Sequence, residues 1–128
     1  MARILIAEDD EAARILLSRA LELDGHLVHG VEDGAAALEH LQGGAEIDLL
    51  LTDISMPVMD GIALALSVSR DWPALPVLLM TGFAEQRERA SGLEALIKGV
   101  IVKPFHMDDV RSKIREVLAL PHSAQSNK

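Results

Sequence analysis

The sequence predicts an α/β fold, a parallel sheet wound on both faces by helices, and three observations carry that expectation. Short apolar runs alternate with longer segments of helical period. The third run, residues 48–52 (Asp-Leu-Leu-Leu-Thr), is dominated by leucine, as expected of a strand covered on both faces. Glycine or proline closes most of the helical segments.

Residues 4–7 (Ile-Leu-Ile-Ala) read as the first strand. A helix follows over 12–23, with Ile15, Leu16, Ala20, Leu21 and Leu23 expected on its apolar face. Asp24-Gly25 ends it, with the glycine suited to a left-handed cap. The second strand spans 27–31. Asp33 then caps a short helix over 35–41, which Gly43-Gly44 closes. After the leucine-rich third strand, Gly61 introduces a helix over 62–69, and Trp72-Pro73 breaks the pattern. The fourth strand is expected over 76–80, a polar, weakly periodic helix over 85–96, the fifth strand over 99–102 and a well-patterned helix over 108–120. Strands alternating with helices in this way form βαβ units and hence a parallel sheet. Residues 1–120 make one domain. The polar residues 121–128 have nothing to bury and are expected to be a disordered tail.

Composition narrows the function. The formal charge is −8, which argues against unaided binding to nucleic acid or an anionic membrane. Phe83, Phe105 and Trp72 are the whole aromatic content, too little for stacking platforms on single-stranded nucleic acid. With no cysteine, disulfides, thiolate metal sites and cysteine nucleophiles are excluded. The apolar start at 4–7 is too short for a signal-peptide core or a membrane span, so the cytoplasm is expected. The histidines (His26, His29, His40, His106, His122) show no metal-ligand spacing, and no zinc site is expected.

In open parallel sheets, ligands bind beyond the carboxyl ends of the strands. Four predicted strands end there in polar residues: Glu8-Asp9-Asp10 after the first, Asp53 after the third, Thr81 after the fourth, Lys103-Pro104 after the fifth. Each has a plain structural reading. The acidic triplet can cap a helix, Asp53 can be a turn residue, Thr81 a loop hydroxyl and Lys103 a solvated surface lysine. Their joint placement on one edge favours a site. Carboxylates converging there repel one another unless a cation sits among them, and Mg²⁺ suits a set of oxygen ligands that also shares a phosphoryl oxygen. Lys103 would add positive charge for an anion, and Thr81 a hydroxyl donor.

These residues, with Asp53-Ile54-Ser55-Met56-Pro57-Val58-Met59-Asp60-Gly61, Met80-Thr81-Gly82 and Val102-Lys103-Pro104-Phe105, resemble the receiver domains of two-component response regulators over residues 3–120. The resemblance implies a flavodoxin-like (βα)₅ fold with strand order 2-1-3-4-5. It implies that Asp53 is the phosphoacceptor, that Asp9 ligates Mg²⁺ directly and Glu8 through water, and that Asp53 and the backbone carbonyl of Ser55 complete the ligands. Thr81 would bind and Lys103 would pair with the phosphoryl group, and the Lys103–Pro104 bond would be cis. The implied donor is a phosphohistidine on a histidine kinase or a histidine phosphotransfer protein, or a small acyl phosphate.

The sequence departs from the family pattern at two places. Val100 stands where many members carry a Tyr or Phe that turns inward with the threonine, so a switch without an aromatic rotamer is expected. Phe83 stands where many have a polar side chain, and its apolar bulk is expected to slow hydrolysis of the acyl phosphate. A haloacid-dehalogenase-like phosphatase also combines Asp, Thr, Lys and Mg²⁺. It would want a second Asp two residues after the nucleophile, where this chain has Ser55. The expectation is therefore a signalling phosphoacceptor rather than an enzyme, acting on a downstream protein target. The start Met1-Ala2-Arg3-Ile4-Leu5-Ile6-Ala7-Glu8-Asp9 and the segment Thr81-Gly82-Phe83-Ala84-Glu85 are similar to single-domain regulators that serve as adaptors for a ClpXP-type protease. A phosphate sink or relay in a phosphorelay is the alternative output, and weak homodimer formation through the last helices is left open.

Overall fold

The computed structural model describes residues 1–82, 88, 90 and 92–120. Its strands are β1 (Arg3–Ala7), β2 (Leu27–Val31), β3 (Leu49–Asp53), β4 (Val77–Thr81) and β5 (Gly99–Val102), and its helices are α1 (Glu11–Leu23), α2 (Gly34–Gln42), α3 (Gly61–Asp71) and α4 (Met107–Leu118). All strand pairs are parallel, in the order β2-β1-β3-β4-β5. The expected architecture and strand order are both present. Of the helix expected over 85–96, Glu88 and Ala90 are helical and 94–96 form a turn, while the remainder falls largely outside the described residues. Phe83 and the tail at 121–128 also lie outside them.

Strand side chains alternate between the two faces, so one sheet builds two cores. Leu5, Leu50 and Leu79 point towards α2 and α3, where Ala37, Leu41, Leu64 and Val68 cover them. Ile4, Ile6, Leu49, Leu51 and Leu78 point the other way, against Leu17 and Leu21 of α1 and Val110 and Ile114 of α4. Every residue of β3 is buried, as its leucine run predicts.

The predicted helix caps are present. Asp33 Oδ1 accepts from the Ala36 amide at 2.8 Å, and Gly25 and Gly44 take φ of 91° and 92°. The apolar face expected for α1 needs correction. Leu17 and Leu21 are its buried residues, one turn apart, whereas Ile15, Leu16 and Leu23 are 43%, 61% and 85% exposed. A helix lying on a sheet buries a narrow stripe, so apolar residues beside that stripe stay in water. α3 is longer than expected at both ends. Its N-cap is Asp60, whose side chain accepts from the Ala63 amide at 2.8 Å.

Asp24 ends α1, where its negative charge meets the negative end of the helix dipole. Arg111 and Arg115 of α4 answer that charge. Arg111 Nε donates to Asp24 Oδ2 at 2.8 Å and its Nη2 to Oδ1, while Arg115 lies 3.9 Å away. The hydrogen bond from Arg111 is the main cause holding the Asp24 carboxyl below the usual aspartate range. This pair ties α4 to the end of α1.

His29 on β2 and His40 on α2 stack with centroids 3.9 Å apart and planes 4° from parallel. Burial, reinforced by the charge of His40, lowers the proton affinity of His29. The unfolded chain therefore binds more protons than the folded one, and stability is lost as pH falls through about 6.5. Urea unfolding should show a smaller acid loss between about pH 7 and 5.5 in His29→Gln than in wild type. Equal losses would contradict this assignment.

Candidate functional site

The topology brings the sequence-distant acidic groups together. β1 pairs with β3 and Ala7 sits opposite Thr52, so the residues following β1 emerge beside Asp53 at the end of β3. Glu8 and Asp53 are buried, Asp9 is exposed, and one carboxylate oxygen from each lies within 4.8 Å of the others. On the other side Asp53 is opposite Met80 and Thr81 opposite Val102, and the Lys103 amide donates to the Thr81 carbonyl at 2.6 Å. Glu8, Asp53, Ser55, Lys103 and Phe105 line one cleft. The Lys103–Pro104 peptide is cis, as the resemblance implies.

Lys103 bridges the two buried carboxylates, with Nζ 3.2 Å from Glu8 Oε1 and 3.0 Å from Asp53 Oδ2. Burial by itself would lower the lysine's proton affinity, but the hydrogen bonds and charges of Asp53 and Glu8 outweigh it. The ammonium is held above the usual lysine range. Glu8 is shifted upward, first by burial and further by the charge of Asp53. The amide of Asp10 and the charge of Lys103 offset this only in part. A single lysine thus stands against three carboxylates. The exposed part of the acidic triplet has a simpler role: Asp10 is the N-cap of α1, its Oδ1 accepting from the Ala12 amide at 3.2 Å. The structural reading of the triplet thus applies to Asp10, and the site reading to Glu8 and Asp9.

The donor set fits Mg²⁺. All available ligand atoms are oxygens, as a hard divalent cation requires. Thr81 Oγ1, at the end of the strand next to β3, is buried without a hydrogen-bond partner among the described residues. A buried hydroxyl left unpaired carries a desolvation cost, and a ligand oxygen would remove it.

The backbone after Asp53 is fixed by close approach. A Cβ on Gly61 would come within 2.1 Å of the Asp53 carbonyl oxygen, so only glycine lets α3 begin there. The Gly61 amide donates back to the Ile54 carbonyl at 2.8 Å. At Gly34, at the start of α2, a Cβ would come within 2.8 Å of Met59, and the Gly34 amide donates to the Met59 carbonyl at 3.0 Å. Between Ile54 and Gly61 the chain turns sharply. Val58 has φ 67°, and the Met59 amide donates to the Pro57 carbonyl at 2.7 Å, the bonding of a strained γ-turn. A β-branched residue at positive φ is unfavourable. No sequence signal pointed to Val58, whereas Gly61 was visible in the Asp-Gly pair.

Glu8, Asp9, Asp53, Thr81 and Lys103 all lie at or just past the carboxyl ends of their strands. Ser55 is exposed and lines the cleft. Val100 is 37% exposed on the edge strand β5, opposite Leu79 of β4.

A five-stranded parallel sheet in this order, with an acidic cluster, a buried threonine and a cis Lys-Pro at the carboxyl ends, defines a receiver-type α/β protein. The response regulator receiver domain profile matches residues 4–115, and the chain belongs to that family. It is 42% identical over 118 residues to the response regulator receiver protein CpdR of Brucella abortus, covering 92% of this chain and 98% of that protein. It is also 35% identical over 118 residues to the regulatory protein AtoC of Escherichia coli, of which it spans 25%. Among solved structures it is similar to the receiver protein TrrA of Thermotoga maritima in complex with Mg²⁺ and BeF. That match has a TM-score of 0.82 and 26% identity, and covers 91% of this chain and 99% of that one. A signal receiver domain of a histidine kinase from Syntrophus aciditrophicus superposes with a TM-score of 0.84 at 30% identity, covering 93% of this chain and 91% of that one.

Two substitutions test the backbone cradle. Gly61→Ala should destabilise the protein by about 1–3 kcal/mol or more, since backbone atoms must move. Val58→Asn should stabilise it by about 1 kcal/mol, because Asn tolerates positive φ. Urea denaturation midpoints measure both, and destabilisation by Val58→Asn would refute the strained turn.

Proposed function

We propose that this receiver domain takes a phosphoryl group from a phosphohistidine donor onto Asp53, with Mg²⁺ held by Glu8, Asp9, Asp53 and the carbonyl of Ser55, and that the change switches a protein-interaction face. The observation that carries the reading is the Lys103 bridge to Glu8 and Asp53, with a buried Thr81 hydroxyl on the neighbouring strand that has no partner among the described residues. A carboxylate can attack phosphorus only when its negative charge and that of the phosphoryl group are both offset. Lys103 offsets part, and Mg²⁺ when bound supplies the rest. An Asp53 oxygen forms the new O–P bond while the P–N bond to the donor histidine breaks, its electron pair returning to the imidazole.

Thr81 Oγ1 donates to a phosphoryl oxygen and Lys103 Nζ exchanges its contact with Asp53 Oδ2 for one with the anion. The single charge of the carboxylate is replaced by a phosphoryl dianion, a net gain of about one negative charge with three new acceptor oxygens at one point. Thr81 leads directly into the connection after β4, so its movement is transmitted towards the exposed edge at Val100 without an aromatic rotamer. An apolar phenylalanine at position 83, where many members have a polar side chain, slows hydrolysis of the acyl phosphate and lengthens the signal in this reading.

Output passes through protein contact, with the chain serving as an adaptor for a ClpXP-type protease. The sequence similarity at residues 1–9 and 81–85 supports the adaptor over a relay, and the near full-length match to a receiver protein supports output by a single receiver domain.

Incubation with acetyl phosphate and Mg²⁺ should add one phosphoryl group per chain by intact-protein mass, with none in Asp53→Ala or in excess EDTA. Label on Asp53→Ala would contradict the assignment. A pull-down with wild type and Asp53→Ala, with and without phosphodonor, reads the output. A protease or its substrate among phosphorylation-sensitive partners supports the adaptor, and a histidine phosphotransfer protein alone supports the relay.

A further inference from the structure

Glycine within a strand weakens it and often marks a place where another group passes close by. Gly30 is such a residue, on the edge strand β2 opposite Ile6 of β1. A Cβ at this position would lie 3.0 Å from Arg14 Cγ and 3.1 Å from Arg14 Cδ. The stem of Arg14, from the first turns of α1, therefore crosses β2 where β2 has no side chain. Its head ends on the metal-site loop, with Nη1 donating to the Glu8 carbonyl at 2.8 Å.

The rest of Glu8 is held as well. Its amide donates to the Val31 carbonyl at 3.0 Å, and its carboxylate accepts from the Asp10 amide at 3.1 Å. Arg14 fixes the one remaining backbone group of Glu8. That group is half of the peptide unit joining Glu8 to Asp9, and the two acidic side chains diverge from its ends. Any rotation of this unit swings both carboxylates relative to Asp53.

We infer that Arg14 is a positioning residue for the metal site, clamping the Glu8–Asp9 peptide so that both carboxylates converge with Asp53, and that glycine at position 30 is the clearance this clamp requires. The inference rests on the Mg²⁺ site proposed above. Arg14 touches neither metal nor phosphoryl group in this arrangement and acts only through Glu8.

Charge and geometry make opposite predictions. Arg14 is a cation near a cation site, so removing it would by charge alone tighten Mg²⁺ binding. Loss of the clamp would weaken it. Outer-shell groups that orient metal ligands are typically worth about 10–100-fold in affinity.

The test is calorimetric Mg²⁺ titration of the full chain, well below the unfolding temperature of each variant. Arg14→Ala should weaken binding about tenfold. Arg14→Lys, which keeps a donor on a shorter head, should recover part of the loss. Gly30→Ala should weaken binding in the wild-type background, because it displaces the Arg14 stem, and should have no further effect on Arg14→Ala. Unchanged or tighter binding in Arg14→Ala, or equal effects of Gly30→Ala in both backgrounds, would overturn the clamp. If Arg14→Ala does not fold, Gly30→Ala and Arg14→Lys still decide: unchanged Mg²⁺ affinity in both overturns it. Wild-type protein that binds no Mg²⁺ would instead refute the site on which the inference stands.

Discussion

Three carboxylates share a few ångströms at one rim of the sheet, two of them removed from water, and a single lysine stands between them. Much of the architecture follows from tolerating that crowd. The strand order puts β1 next to β3, which creates the repulsion, and it puts β4 and β5 on the far side of β3, which delivers the threonine and the lysine. Burial raises the proton affinity of Glu8, while Lys103 remains a cation despite being partly buried. An apo site left in this condition favours anything that brings positive charge. A divalent ion does so most compactly, because its oxygen ligands are already in place.

The crowd is useful only if the reactive carboxylate is rigidly placed, and the backbone supplies that rigidity. Gly61 lets the start of α3 press against the Asp53 carbonyl, Gly34 lets α2 press against Met59, and Val58 takes up the sharp turn between them at positive φ. These contacts join three segments around the residue that would carry the phosphoryl group. Arg14 does the same from the opposite side, at the end of β1. A charge added at Asp53 therefore meets a stiff surround on most sides. Thr81, at the end of β4, is buried, and its hydroxyl has no hydrogen-bond partner among the described residues.

Much of this was legible in the sequence because it depends on local pattern. The leucine run of β3 announced a strand buried on both faces, and polar residues directly after apolar runs marked the carboxyl rim. Reading failed where tertiary placement decides. Ile15, Leu16 and Leu23 have the same hydropathy as Leu17 and Leu21, and only the docking angle of α1 separates the exposed from the buried. Residue type alone did not separate Asp10 from Glu8 and Asp9; the family resemblance did, and the start of α1 shows Asp10 as its cap. The His29–His40 stack joins a strand to a helix by packing alone, and the passage of Arg14 over Gly30 leaves no periodic signal. Val58 was illegible for another reason, since valine is a residue that local propensity places anywhere but positive φ.

The central claim is that a divalent ion completes this acidic rim, and calorimetric titration of wild type and Asp9→Asn with Mg²⁺ tests it most directly. One ion per wild-type chain is predicted, with affinity lower on the order of tenfold or more in Asp9→Asn. Absence of saturable binding to the wild type, or equal affinity in the two proteins, would contradict the account.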